Sequence, residues 1–284
     1  MSENTAVMNN ILVPTDFSAH AQAAFETAVS IARRTGALVH LYHVMDIPDI
    51  PGMREIMARR NPAGSEASET ADSALHQLVR SETYRDIGAS CSIDYGTPWK
   101  AITGKAEGDG FDLVVIGSHG MKRLEKIVFG STTEQVIRHS ICPVLTVQDT
   151  LCCFSPASIV LGAERSRENT CCIDAARSFA SHYNATMHLV KVSTPDHFIN
   201  TRQARMEMEF LARENGIGEY SVNCYNDESM QEGLLHFAED IGADLLCMTT
   251  RVTSELARLY RTTMGRNTTT EVAIPILTCR VPEA

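Results

Sequence analysis

The sequence lacks the features of a membrane or secreted protein. Its longest apolar runs, such as Leu113–Ile116, are far shorter than the about 20 residues that a membrane-spanning helix needs. The first ten residues, MSENTAVMNN, contain neither the basic segment nor the apolar segment of a secretory signal. We therefore expect a soluble, cytoplasmic protein with no membrane contact.

Basic charge is also scarce. The chain has 25 Lys and Arg against 35 Asp and Glu, which gives a formal net charge of −10. A protein that binds duplex nucleic acid usually carries a basic patch or a basic domain. We therefore expect no nucleic acid partner, although a local basic site for phosphate groups stays compatible with this composition.

The nine cysteines lack the spacing of a metal site. Two adjacent pairs, Cys152–Cys153 and Cys171–Cys172, stand out, but neither is C-x2-C and no strong His pair follows. Cytoplasmic thiols are reduced by default, and free cysteine packs as a small apolar residue. We interpret both pairs in that way and expect no metal ion held by the protein itself.

Two common nucleotide motifs are missing as well. Gly104-Lys105 is followed by Ala106, and Trp99 stands where the first glycine of G-x4-G-K-[ST] would be. No G-x-G-x-x-G follows the first predicted strand, so a dinucleotide fingerprint is also absent.

The sequence contains an internal repeat of one unit in two copies. An offset of 148 residues aligns Asp16 with Glu164, and the same offset aligns Ile31–Val44 with Phe179–Val192. Later in the unit an offset of 132 aligns Asp112 with Asp244. Because the repeat covers nearly the whole chain, we predict two domains, 1–150 and 151–284.

Each copy alternates short apolar runs with longer helical patterns, which predicts βαβ units and a mostly parallel sheet. The predicted fold class is α/β, with two tandem, doubly wound, Rossmann-like domains of five strands each. Ligands of such sheets bind outside the carboxyl ends of the strands. In the first copy we predict strands near 10–14, 37–44, 90–95, 112–116 and 143–147, and helices near 17–35, 66–87, 98–108 and 131–140.

The fourth strand of the first copy ends in a glycine motif. Gly117-Ser118-His119-Gly120 is followed nine residues later by Gly130-Ser131-Thr132, which opens a helix. Glycine after a strand can take positive φ and lets the backbone approach a ligand. N–H groups in such a turn and at a helix start bind anions. The motif suits a phosphate chain, although Ser131 could also be only a helix N-cap.

Asp16 follows the first strand, beside the end of the fourth strand in a doubly wound sheet. It could accept hydrogen bonds from a ribose or an adenine. The alternative is that Asp16 caps the helix predicted from Phe17, and the two roles can coexist.

The sequence resembles the universal stress protein family. The segments that carry the resemblance are VPTDFS after the first strand, LYHVMD at the end of the second, GSHG, GST and the closing CPVLTV. The pattern G-x2-G-x9-G-S is typical of the ATP-binding branch of that family. The resemblance is specific in the first copy and degenerate in the second.

The resemblance implies a protein that binds ATP, with Mg²⁺ held through the phosphates, in a regulatory or stress-response role. It implies contacts from Asp16 and Val44 to the adenosine. The remaining implied site residues are Pro14, Thr15 and Ile116 along that pocket, and Gly117, His119, Gly120, Gly130, Ser131 and Thr132 at the ribose and phosphates. The resemblance also implies pairing, because members of the family form dimers through the last strand of each sheet. We therefore expect an internal pseudo-dimer through strands 143–147 and 275–280, and a homodimer is compatible with the same pairing.

The second copy departs from the motif. Threonine or valine replaces three glycines, so we expect the second copy not to bind ATP in the family manner. Four arginines could mark a different anion site there, or could be an ordinary solvated surface. The replaced positions are Thr249, Val252, Thr262 and Thr263, with Glu164 for Asp16, whereas Val44 is retained as Val192. The arginines are Arg251, Arg258, Arg261 and Arg266.

The sequence leaves catalysis open. A hydrolase needs a base or a water-positioning group near the γ-phosphate, and His119 is the candidate inside the motif. We interpret it as a loop histidine. A regulatory ATP-binding protein is therefore the first hypothesis, and a slow ATPase or other nucleotide-dependent enzyme is the alternative. A flavin-binding relative of the superfold is a third, which a colourless pure protein would exclude.

Overall fold

The computed structural model describes residues 8–47, 66–118, 131–148, 153–162, 170–250 and 274–280. Its contacts divide the chain into two units, with Met8–Phe154 in one and Ser155–Ala284 in the other. Among the residues described, no helix combines the length and the apolar character that crossing a membrane requires.

The first half builds a five-stranded parallel sheet. Its strands are ordered β3-β2-β1-β4-β5, and each pair of neighbours runs parallel. The elements are β1 (Asn10–Pro14), α1 (Ala19–Thr35), β2 (Leu38–Asp46), α2 (Glu66–Val79), β3 (Ala89–Gly96), α3 (Pro98–Gly108), β4 (Leu113–Gly117), α4 (Ser131–His139) and β5 (Val144–Val147).

The second half repeats this arrangement in the order β8-β7-β6-β9-β10, again with parallel neighbours. The predicted fold of two doubly wound domains is therefore confirmed. The elements are β6 (Ser158–Gly162), α5 (Thr170–Tyr183), β7 (Thr186–Ser193), α6 (Thr201–Glu214), β8 (Tyr220–Asn226), α7 (Met230–Asp240), β9 (Leu245–Thr250) and β10 (Ile276–Arg280).

The central strands are apolar because helices cover both faces of the sheet. Ile11–Val13 in β1 and Leu113–Val115 in β4 have no exposed surface. A parallel strand buried on both sides must be a continuous apolar run, which is why these segments show no alternation.

Two helix boundaries differ from the prediction. The helix predicted over 66–87 ends at Val79 and is followed by a short 3-10 turn, Glu82–Tyr84. The hydroxyl of Ser81 accepts a hydrogen bond from the Thr83 amide, and this local bond starts the separate turn. At the other boundary, α1 begins at Ala19 rather than at residue 17.

In each half, one aspartate carboxylate accepts hydrogen bonds from two backbone amides at the start of the first strand. Asp112 Oδ2 accepts hydrogen bonds from the amides of Asn9 and Asn10, at 2.8 and 2.9 Å. In the second half, Asp244 Oδ2 accepts from the amides of Ala157, just before β6, and Ser158, its first residue, at 2.9 and 3.0 Å. A carboxylate just before the fourth strand of each half therefore fixes the start of the first.

Candidate functional site

The carboxyl ends of β1 and β4 lie side by side in the first half. These strands pair directly, with Ile11 opposite Leu113 and Leu12 opposite Val114. In this sheet, β2 lies on one side of β1 and β4 lies on the other. This reversal of strand order is the position at which doubly wound sheets bind ligands.

The loop after β1 is shaped by its own side chains. Asp16 Oδ1 accepts a hydrogen bond from the Ser18 amide, and Thr15 Oγ1 accepts one from the Phe17 amide, both at 3.1 Å. Phe17 has a φ of 61°, which is unusual for a bulky residue. The Ser18 hydroxyl accepts from the Ala21 amide, so Ser18 is the N-cap of α1. The alternative role of Asp16 as that cap is therefore wrong, and Asp16 instead shapes the turn that enters the helix.

Strand β2 holds this loop in place. The Thr15 amide donates to the Tyr42 carbonyl at 2.9 Å, and His43 Nδ1 donates to the Thr15 carbonyl at 2.7 Å. The Phe17 ring lies against the His43 ring with centroids 4.9 Å apart. Val44 follows on β2 and is half-buried. The site thus has an apolar side chain on β2 and a half-buried carboxylate on the adjoining loop.

Gly117, the last residue of β4, lies against the first turn of α1. A Cβ at this position would be 2.7 Å from the backbone carbon and oxygen of His20. Its backbone is not left-handed, because Gly117 is absent from the residues with positive φ. The expected reason for a glycine here, positive φ, is therefore wrong for Gly117. The residue is glycine because the helix backbone leaves no room for a side chain.

The first turn of α4 is bonded to the same glycine. The Thr133 hydroxyl is buried and donates to the Gly117 carbonyl at 2.8 Å. Ser131 is exposed and Thr132 is half-buried at the start of this helix. The contacts of Gly117 thus bring the first turns of α1 and α4 to the end of β4.

The structure brings together most of the predicted residues that it describes. Pro14, Thr15 and Asp16 follow β1, Ile116 and Gly117 end β4, and Ser131 and Thr132 open α4, with Val44 on the neighbouring strand. The predicted residues His119, Gly120 and Gly130 lie outside the described residues.

Two residues that organise this site were not predicted. Thr133 provides the bond to Gly117 described above, and His20 Nδ1 donates to the Gln148 carbonyl at 2.5 Å. The signal for Thr133 is its place directly after the GST segment. His20 lies in a helical pattern that does not distinguish it from a surface residue.

In the second half, α7 packs closely against the ends of β6 and β7. Gly162 aligns with Pro14, and a Cβ there would be 2.2 Å from a methyl carbon of Leu234. Gly233 lies so close to Val192, the counterpart of Val44, that a Cβ would be 2.7 Å from its methyl group. Val192 is only 7% exposed, whereas Val44 is half-buried. Among the replaced motif positions, Val252, Thr262, Thr263 and Glu164 lie outside the described residues, as do the four arginines.

The second half has a cleft of about 410 Å³, but at the opposite end of its sheet. It is lined by the end of α5 and the loop before β8, near the amino ends of β7 and β8. Its polar lining residues are Arg177, Ser181, Asn184 and Glu219. Because ligands of doubly wound sheets bind at the carboxyl ends, this cleft does not correspond to the candidate site.

Comparison with known proteins assigns the first half by sequence. Residues 8–148 match the model of the universal stress protein family. A universal stress protein of Methanocaldococcus jannaschii is 29% identical over 159 residues, which cover 51% of this chain and 97% of that relative.

Solved structures extend the likeness to both halves. A universal stress protein of Archaeoglobus fulgidus covers 97% of this chain and 99% of its own, with a TM-score of 0.72 and 18% identity, so this likeness concerns the fold. A universal stress protein of Lactobacillus plantarum is 32% identical and covers 50% of this chain and 99% of its own, with a TM-score of 0.42. With a family match over residues 8–148, a sequence relative matched over 97% of its own length and a solved family member that shares the fold of both halves, the chain belongs to the universal stress protein family.

Proposed function

We propose that the first half binds ATP at the carboxyl ends of β1 and β4, and that the bound nucleotide serves a regulatory role. The observation that carries the proposal is the pair of contacts at Gly117, with the backbone of His20 on one side and the Thr133 hydroxyl on the other. These contacts place two helix N-termini beside one strand end. Helix N-termini present unpaired N–H groups and the positive end of the dipole, which favour phosphate.

The start of α4 supports a phosphate-binding role. Ser131 is exposed and Thr132 is half-buried, and both hydroxyls stand in the first turn of a nine-residue helix. Hydroxyl and amide donors at a helix start suit the oxygens of a phosphate chain. Mg²⁺ would be held by those phosphates and by water, since this ion leans on substrate oxygens and keeps much of its hydration.

The loop after β1 supports an adenosine-binding role. The Asp16 carboxylate is half-buried and accepts from the Ser18 amide through Oδ1. A carboxylate has several acceptor positions, so the same group can also accept a hydrogen bond from a ribose hydroxyl or an adenine amino group. Val44, half-buried on β2, offers an apolar contact for the base.

A regulatory role is favoured over hydrolysis because the described histidines near this site serve the fold. His43 donates to the Thr15 carbonyl and His20 to the Gln148 carbonyl. The slow ATPase remains the alternative. Phosphate release faster than background, and lost in His119→Ala or Asp16→Ala, would establish it instead.

The test uses the full chain. Nucleotide released from denatured pure protein is identified by mass, and Mg·ATP binding is measured by equilibrium dialysis. We expect one site per chain. Asp16→Ala should weaken binding about 10- to 100-fold, since a hydrogen bond to a charged group contributes about 1.5–3 kcal/mol. Ser131→Ala should weaken it less, and the matched second-half variants Glu164→Ala and Thr263→Ala should leave it unchanged. A protein that neither carries nucleotide nor binds Mg·ATP would reject the proposal.

We further propose the pairing inferred from family resemblance, an internal pseudo-dimer through strands 143–147 and 275–280, with or without a homodimer. Light scattering on the eluted protein separates a monomer of 31.2 kDa from a homodimer. The cytoplasmic location likewise stays a prediction, which fractionation of cells tests.

A further inference from the structure

Four cysteines of the second half lie where one helix packs on two strands. Cys171 and Cys172 are in the first turn of α5, Cys247 is on β9 and Cys279 is on the neighbouring β10. Cys172, Cys247 and Cys279 are at most 1% exposed, whereas Cys171 is half-buried. All four thiols are free.

The thiols of this cysteine cluster interact with one another. Cys279 pairs with Thr249, so Cys247 and Cys279 lie on the same face of two adjacent parallel strands, and α5 packs against both strands. The thiol of Cys279 lies within interaction range of Cys171 and Cys172, and that of Cys172 within range of Cys247. Such proximity is one requirement for a disulfide between the helix and a strand.

Packing alone does not require these cysteines. The repeat offsets align the cluster with four residues of the first half, where the same helix and strands meet without any thiol. The counterparts are Ala23, Ala24, Val115 and Val147, each at most 1% exposed. Ordinary apolar residues therefore fill this place in the same fold. That four positions of one helix–strand interface are all cysteine in the second half, and none is in the first, points to a role for the sulfur atoms.

We propose that Cys171 and Cys279 form a redox-active dithiol, which peroxide oxidises to an intramolecular disulfide. Cys171 is the attacking thiol, since it is the member of the cluster that solvent reaches. Cys279, buried behind it on β10, is the resolving thiol.

Local electrostatics support this division of roles. The hydrogen bond with Cys279 lowers the pKa of the Cys171 thiol, and its place in the first turn of α5 acts in the same direction. The hydrogen bonds with Cys171 and Cys172, together with burial, raise the pKa of the Cys279 thiol well above its usual range. Cys171 is therefore the more readily deprotonated of the two thiols, and Cys279 is the less readily deprotonated.

The chemistry balances with hydrogen peroxide as the oxidant. The Cys171 thiolate attacks one peroxide oxygen and forms a sulfenic acid, while the O–O bond breaks and hydroxide leaves. The Cys279 sulfur then attacks the Cys171 sulfur and displaces its hydroxyl group. The protons of the two thiols appear in two molecules of water, and the two sulfurs have lost two electrons.

A metal ion is the competing explanation for clustered thiols. Within the part of the chain that the structure describes, no group of three or more His, Cys, Asp or Glu side chains is arranged to hold one. The dithiol is therefore the better-supported assignment, and metal content is measured as an outcome that would overturn it.

The experiment maps thiols in the full chain. Reduced protein is exposed to hydrogen peroxide, quenched with iodoacetamide and digested with trypsin. We expect peptides 168–177 and 267–280 to appear joined, with a mass two hydrogens below their sum. Fragmentation and the variant Cys172→Ala distinguish Cys171 from its neighbour. Alkylation of both Cys171 and Cys279 after oxidation would overturn the proposal, as would a stoichiometric metal ion that blocks it.

Variants taken from the first half provide the controls. Cys171→Ala and Cys279→Val install residues that the fold already accommodates at these positions, and both should abolish the joined peptide. In Cys279→Val, we expect Cys171 to react with peroxide roughly tenfold more slowly, because the hydrogen bond that favours its thiolate is gone. Cys224→Ala, at a half-buried thiol on β8, should leave the joined peptide unchanged. If Cys279→Val does not fold, the presence or absence of the joined peptide in the unaltered protein still tests the proposal.

Discussion

The two halves of this chain share a fold but not the detail at the carboxyl ends of their strands. Both have five parallel strands in the same order, and both use an aspartate before the fourth strand to hold the first. The first half keeps Gly117 against α1 and leaves Val44 half-buried. The second half has Thr249 at the end of its fourth strand and buries Val192 under α7.

This difference shows which residues belong to the sheet and which belong to a site. Residues that both halves keep, such as Asp112 and Asp244, serve the sheet itself. Residues that only the first half keeps, such as Gly117, are not needed for the strand order. The cysteine cluster, in contrast, is present only in the second half. Exchanging residues between the halves therefore tests each assignment.

The largest effect is expected from placing the second-half residue in the first half. Gly117→Thr would put a Cβ 2.7 Å from the His20 backbone, which cannot move away as a flexible side chain could. We expect a loss of about 3 kcal/mol in the free energy of unfolding, at the upper end of overpacking effects. Trp99, the single tryptophan, reports on the first half by fluorescence during denaturation. Mg·ATP binding should fall in the same variant.

The reciprocal change is the control for that experiment. Thr249→Gly removes a half-buried side chain from the end of β9 and should cost less, about 0.5–1 kcal/mol, mainly through backbone entropy. If Gly117→Thr is as stable as the original chain, the close approach of α1 does not explain the glycine.

A smaller and symmetrical effect is expected from the two aspartates. Asp112→Ala removes the acceptor for two backbone amides, and Asp244→Ala does the same in the second half. Each change should cost about 1–2 kcal/mol, because amide groups lose a charged acceptor. Amide hydrogen exchange should accelerate at Asn10 in one variant and at Ser158 in the other. Acceleration in both halves by either single change would contradict independent closure of the two sheets.

The smallest effect concerns a pair of equivalent histidines. His40 bonds to Ser90 and Ser92, and its pKa is lowered by burial and then by Lys105. The pKa of His188, beside Ser221, is lowered by burial. Because both folded pKa values lie below the ordinary 6.5, the unfolded chain takes up protons more readily. The neutral rings therefore stabilise the fold above about pH 6.5. This stabilisation is lost as the pH falls through the pKa values of the folded state.

The titration can be read directly from the imidazole resonances by NMR. We expect both midpoints below 6.5, because burial lowers the pKa of each ring. His40→Gln should reduce the acid sensitivity of the first half only. A midpoint at or above 6.5 for His40 would show that its ring is not held neutral by its surroundings.

Much of the frame could be predicted from the sequence, because strand and helix patterns are local and the repeat provides each of them twice. The buried run Leu113–Ile116 and the switch between β1 and β4 follow from apolar pattern and topology. The hydrogen bond from Thr133 and the backbone of His20 against Gly117 could not be predicted. They depend on how α1 and α4 pack, and no periodicity encodes that distance.

The cysteine cluster could not be predicted from the sequence alone. The spacing Cys171–Cys172 resembles no metal motif, and the other two cysteines lie on separate strands. Aligning the halves residue by residue shows that four cysteines replace alanine or valine of the first half. Only the fold shows that these positions meet, since the strand order places β9 and β10 under α5.

The aspartate before each fourth strand also has a consequence for the order of folding. The hydrogen bond from Asn10 to Asp112 joins residues separated by 102 positions, and the one from Ser158 to Asp244 spans 86. Contacts of such high sequence separation form late and slow the search for the native topology. During synthesis, this contact cannot form in either half until the residues before its fourth strand have left the ribosome. Each half should therefore complete its sheet in a single late step, with the first half finished while the second is still being made.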